Sequence, residues 1–116
     1  MSNQIDTLES NYRKYAEAYG KAVERSDAKA TSKNFDKLSA IRLKLKACGQ
    51  QGKALLCRLM KDRSDAIATC AAADSLPFAE AEALKVLDTI GKKTGLISFD
   101  AEMTAEQWRV GELKIR

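Results

Sequence analysis

From Ile5 to Val23 the large apolar residues fall at Ile5, Leu8, Tyr12, Tyr15, Tyr19 and Val23. Steps of three and four trace one helical face and predict a first helix. Ser26 and Asp27, both favourable N-cap residues, open a second stretch in which Phe35, Leu38, Ile41, Leu45 and Cys48 recur at the same period until Gly49. Two long helices joined by so short a turn must pack antiparallel, so residues 5–49 read as a long helical hairpin. Gly20, inside the first helix, predicts either the close passage of another helix or a bend.

Residues 52–111 read as shorter helix pairs. Gly49-Gln50-Gln51-Gly52 is the expected loop before a short helix from Lys53 to Met60, with Leu55, Leu56 and Leu59 on its inner side. Lys61-Asp62-Arg63 forms the next turn. Ser64 caps a fourth helix in which Ile67, Ala68, Cys70 and Ala71 offer a small-residue face to close neighbours. Pro77 is assigned to the first turn of a fifth helix, which carries Phe78, Ala81, Leu84, Val86, Leu87 and Ile90 to Gly91. A sixth runs from about Ser98 to Val110, with Phe99, Met103, Trp108 and Val110 as apolar surface, and the tail Glu112 to Arg116 is expected to fray. The predicted fold is all-α: about six helices in stacked antiparallel hairpins, in one domain spanning 1–116. Composition agrees, with 18 Ala and 12 Leu against 3 Val, 6 Ile and 6 Thr.

The stretch Leu59-Met60-Lys61-Asp62-Arg63-Ser64-Asp65-Ala66-Ile67-Ala68-Thr69-Cys70-Ala71-Ala72-Ala73 resembles the inter-helix turn and second helix of a HEAT-type repeat. Together with the long hairpin that closes at Ile41 to Gly49, and with Ala83-Leu84 followed by Leu87 and Ile90, nearly the whole chain resembles a bacterial family, the domain of unknown function numbered twenty-nineteen. The resemblance implies a HEAT-like helical array of α-solenoid type, without an established activity. Ile67 stands where an Arg is common in HEAT repeats, so no ligand contact is carried over at that place.

Charge adds what periodicity does not. Residues 1–63 hold 14 Lys and Arg against 7 Asp and Glu, while residues 64–116 hold 6 against 9. Between Lys29 and Arg63 ten bases face only Asp36 and Asp62, a field that attracts polyanions or an acidic protein face. On the second helix Lys29, Lys33, Lys37 and Lys44 fall within about 80° at about 100° per residue and make a basic stripe. Lys61 and Arg63 extend it if the following turn packs nearby.

The chain has no His, which removes the commonest general base and metal ligand. Cys48, Cys57 and Cys70 fit neither a redox pair nor a zinc site and read as reduced structural thiols. No phosphate loop or converging carboxylate pair is evident, so the expectation is a nonenzymatic protein without metal or cofactor. No apolar run exceeds four residues, as in Cys70-Ala71-Ala72-Ala73, which is far short of a membrane span, and a cytoplasmic location is expected from the acidic amino terminus and reduced thiols.

The expected function is noncatalytic binding of a protein partner, in concrete form an immunity or antitoxin protein that covers a toxin. Its contact is either the stripe of Lys29, Lys33, Lys37 and Lys44 or the acidic part around Asp65, Asp74, Glu80 and Glu82. The alternative is a nucleic-acid-binding accessory protein using the basic 29–63 segment, although aromatic side chains for base stacking are few there. A third reading is a structural subunit, with the face of Tyr12, Tyr15 and Tyr19 or with Trp108 buried between copies. Trp108 otherwise reads as a lid on the end of the array.

Overall fold

The computed structural model describes residues 2–115; Met1 and Arg116, the ends of the predicted domain and tail, lie outside the described residues. Six α-helices follow in order: α1 Ser2–Glu24, α2 Ala28–Ala47, α3 Gln50–Leu59, α4 Asp65–Ser75, α5 Glu80–Gly91 and α6 Leu96–Arg109. The described residues hold no strand. Each helix packs on the next, and α1 also lies against α4 and α6, which closes the hairpins into a body of 39 × 29 × 25 Å.

The α1–α2 turn is built as a Schellman motif. The Asp27 N–H donates to Ala22 O and the Ser26 N–H to Val23 O, with Ser26 in the left-handed region at φ 56°. Asp27 then caps α2, its carboxylate accepting from the Ala30 N–H at 3.1 Å. As predicted, Ser64 caps α4, accepting from the Ile67 N–H. Gly20 meets the close approach that the sequence left as one of two options: a Cβ there would stand 2.5 Å from that of Ala66 in α4.

Four boundaries or faces differ from the sequence reading. The α3 helix begins at Gln50, because Gly49 alone, at φ 63°, turns the chain. Gly52 lies inside the helix, where a Cβ would stand 1.9 Å from Leu45 O. Pro77 and Phe78 belong to a turn, not to α5: the Phe78 and Ala79 N–H groups both donate to Ser75 O, and the helix starts at Glu80. The α6 helix starts two residues early, because Glu24 at the end of α1 accepts from the Leu96 and Ile97 N–H groups at 3.0 Å. Its inner face is Ile97, Ala101 and Ala105, small enough for close packing, which leaves Leu96, Phe99 and Val110 exposed. The tail does not fray through its described length: Leu113 packs on the core, and Ile115 lines a groove described below.

The core is formed by Leu8, Tyr12 and Ala16 of α1, Leu38, Ile41 and Leu45 of α2, Leu55, Leu56 and Leu59 of α3, and the small residues of α4. The α4 helix is central, touching α1, α3, α5 and α6.

Candidate functional site

Lys29, Lys33, Lys37 and Lys44 stand exposed along α2, as their spacing requires. None pairs with an acid among the described residues. Other cations do: Arg13 with Glu9 and Asp62, Arg58 with Glu9, Lys93 with Asp65, and Arg109 with Asp88. The α2 helix packs chiefly on α1 and α3 and faces α4 and α6 through Arg42 and Phe35, while the side that bears the lysines is exposed. Leu43 flanks the lysine row at 54% exposure, and Phe35, at 53%, lies at the opposite edge toward α6.

Lys61 and Arg63 do not join this row. They line a shallow depression with Arg13, Arg58 and Asp62, and Lys61 pairs with Glu82 of α5 at 3.3 Å. Trp108 is half-buried and donates from Nε1 to Glu80 Oε2 at 2.6 Å, fastening α6 to the start of α5. Of the four acids considered as an alternative contact, Asp65 is paired with Lys93, Glu82 with Lys61 and Glu80 with Trp108, while Asp74 is interior.

Two tyrosines of the α1 face, Tyr12 and Tyr19, turn inward onto acids, while Tyr15 packs partly buried against the core. Tyr12 is fully buried and donates to Asp74 Oδ2 at 2.7 Å; Tyr19 donates to Asp100 Oδ2 at 2.8 Å. Arg42 approaches Asp74 from α2 at 3.5 Å, too long for a strong charge-assisted bond. Burial pushes the Asp74 carboxyl up to about 6, against the hydrogen bond from Tyr12 and the nearby Arg42 charge. Burial likewise raises Asp100, again opposed by its tyrosine. The Cys70 thiol beside them is raised well above its ordinary value by burial and by the facing Asp74 and Asp100, so it stays protonated and unreactive. All three cysteines are free thiols.

Asp100 and Arg42 were not singled out from sequence, and Asp74 only as part of an acidic contact surface, yet a signal for this interior cluster exists. Asp74 continues the stripe Ile67, Cys70, Ala71, and Asp100 sits on the stripe Ile97, Ala101, Thr104. A carboxylate on an apolar helical face must find a donor, and α1 supplies tyrosines at the matching spacing.

No cluster of potential ligands able to hold a metal ion occurs among the described residues, and no helix there is long and apolar enough to cross a membrane. Compared with protein-family models, curated proteins and solved structures, the chain finds no match. Its function is therefore argued from these surfaces.

Proposed function

We propose that this protein is a noncatalytic binding module whose outer α2 face docks on the acidic surface of a partner protein. The observation that carries this reading is the row Lys29, Lys33, Lys37 and Lys44, exposed along the outer side of α2 and without acid partners among the described residues. Like charges spaced four apart weaken a helix slightly, so the row works against local stability and gains a use only when an opposing charge arrives. Leu43 favours protein over nucleic acid, because an exposed aliphatic side chain beside the row anchors a protein interface and offers nothing to phosphates. Asp36, exposed on the same side, also opposes a polyphosphate.

The proposal in its specific form is a cytoplasmic immunity protein that neutralises a toxin by covering its acidic face. Kinship with the family numbered twenty-nineteen, and the HEAT-like reading of the Asp62 turn before α4, belong to the same proposal. The test is capture from host lysate by wild type and by a variant carrying K29E, K33E, K37E and K44E, each with and without nuclease. A protein recovered at fixed stoichiometry, indifferent to nuclease and lost with the variant, supports the reading; nuclease-sensitive, salt-labile recovery replaces it with nucleic-acid binding.

A further inference from the structure

The groove between α2 and the α4 and α6 helices lies apart from the lysine row. The tail lines it with Leu113 to Ile115 over a cavity of about 370 Å³, and Ile115 also lines a cavity of about 230 Å³ between α2, α3 and the turn at Pro77 and Phe78; both reach Arg42 and Asp74. The larger falls in the range of small-molecule sites, about 300–1,000 Å³.

Its walls hold an unsatisfied polar pair. Arg42 Nε and Thr69 Oγ1 are the two buried side-chain polar atoms without a hydrogen-bond partner among the described residues, and both residues line this one cavity. Thr69 is 2% exposed. The other hydroxyls of α4 and α6 bond to a carbonyl four residues back: Ser75 to Ala71 O, Ser98 to Thr94 O in the turn before α6, and Thr104 to Asp100 O. Thr69 leaves its hydroxyl uncommitted. Arg Nε is a donor only, so whatever completes this wall is an acceptor. The guanidinium's one hydrogen bond among the described residues is the 3.5 Å contact of Nη1 with Asp74, so Nε is uncommitted.

On the α6 side stands Asp100, with Oδ2 engaged by Tyr19 and Oδ1 without a partner among the described residues; Lys114 of the tail also lines the cavity, but it is exposed and pairs with neither Asp74 nor Asp100 within 4 Å. A cation alone answers Asp100 and leaves the donors Arg42 and Thr69 unused. An anion alone answers those donors but faces Asp74 and Asp100. Both needs are met by a molecule with separated charges, and Phe35 and Leu38 of α2 with Leu113 and Ile115 of the tail supply an apolar wall for its body.

We infer that this cavity binds a zwitterionic α-amino acid with an apolar side chain, its carboxylate accepting from Arg42 Nε and Thr69 Oγ1 and its ammonium donating to Asp100. The tail closes over the side chain. This site is independent of the α2 outer face and stands or falls separately from it.

The test is amide NMR titration of the full chain with leucine, valine and phenylalanine. Two further probes are halves of leucine: 4-methylpentanoate, which lacks the ammonium, and 3-methylbutylammonium, which lacks the carboxylate. At least one amino acid shifts the amides around Thr69 and Asp100, and each half binds about tenfold more weakly or worse, the loss of one charged hydrogen-bonding group. Thr69→Val, an isosteric change that breaks no existing bond, and Asp100→Asn, which keeps an acceptor for Tyr19, each weaken binding by about tenfold while the protein still melts cooperatively. No shift with any of the three amino acids overturns the inference, as does equal binding by a half-ligand or undiminished binding by Thr69→Val.

Discussion

The helices α2 and α4 handle the same problem in opposite ways. Of the twenty residues of α2 only Leu38, Ile41 and Leu45 are buried, whereas in the eleven of α4 Ile67, Ala68, Thr69, Ala71, Ala72 and Ser75 are. Four helices crowd α4, and small side chains let them approach; α2 packs chiefly on α1 and α3 and reaches α4 through Arg42, and its remaining surface is free to carry charge. Interior space therefore dictates α4, while solvent and whatever docks from it dictate α2. Enlarging α4 is the hardest blow to this arrangement. Ala71→Leu, at a fully buried position, is expected to cost about 3 kcal/mol in urea denaturation, and Leu43→Ala on α2 less than about 0.5. Equal losses would erase the distinction.

The contrast extends to acids. Asp74, on the inner face of α4, has its carboxyl raised to about 6 by burial, while the surface acids Asp62 and Asp88 are held low, Asp62 by the Ser64 N–H and Arg13 and Asp88 by Arg109. The signs differ accordingly. The folded protein binds the Asp74 proton more tightly than the unfolded chain, so this group's contribution is complete below the ordinary carboxyl pKa and is lost as pH rises through about 6. Asp62 and Asp88 contribute above the ordinary value and lose that contribution as pH falls. Asp74→Asn keeps an acceptor for Tyr12 but does not titrate. The stability of the variant minus that of wild type should rise between pH 4 and 7 by up to about 3 kcal/mol, a shift of about two pKa units. A flat difference across that window would show that Asp74 ionises as freely as a surface acid.

The sequence disclosed helices better than their neighbours. All six were legible because their apolar periods, the caps Asp27 and Ser64 and the stops at Gly49 and Gly91 are local signals. The start of α6 was not, since its cap comes from Glu24 at the far end of α1. Phe99 and Val110 were assigned to apolar surface by residue type, whereas helix packing chose the alanines of α6 for the interior and left those two outside. The lysine row was readable from spacing, but its separation from Lys61 and Arg63 was not, because that depends on which way the α3–α4 turn faces. The groove needed coordinates altogether: Arg42, Thr69, Asp100 and Ile115 come from α2, α4, α6 and the tail and meet only in three dimensions.

A smaller test concerns how α2 is joined to the body. Ser26 occupies the left-handed position of the Schellman turn, where an L side chain costs roughly 1–2 kcal/mol and glycine fits without strain. Ser26→Gly is expected to stabilise the protein by about 1 kcal/mol in the same denaturation assay, part of the gain being offset by the greater freedom of glycine in the unfolded chain. Destabilisation would mean that the Ser26 side chain holds the hairpin in a way its exposure does not suggest.

The least effect on stability belongs to the residues given the largest role in function. Lys29, Lys33 and Lys37 follow one another at intervals of four and repel, and with Lys44 they pair with no acid among the described residues. Changing all four to Gln removes that repulsion, keeps helix propensity nearly constant and breaks no ion pair, so unfolding free energy should stay level or rise by about 0.5 kcal/mol in low salt. Added salt should narrow the gap, because it screens in wild type the repulsion the variant lacks. A loss of more than about 1 kcal/mol would assign the lysines a structural task, their stems packing along the edge of α2, and would remove the reason for reading the row as a surface kept for a partner.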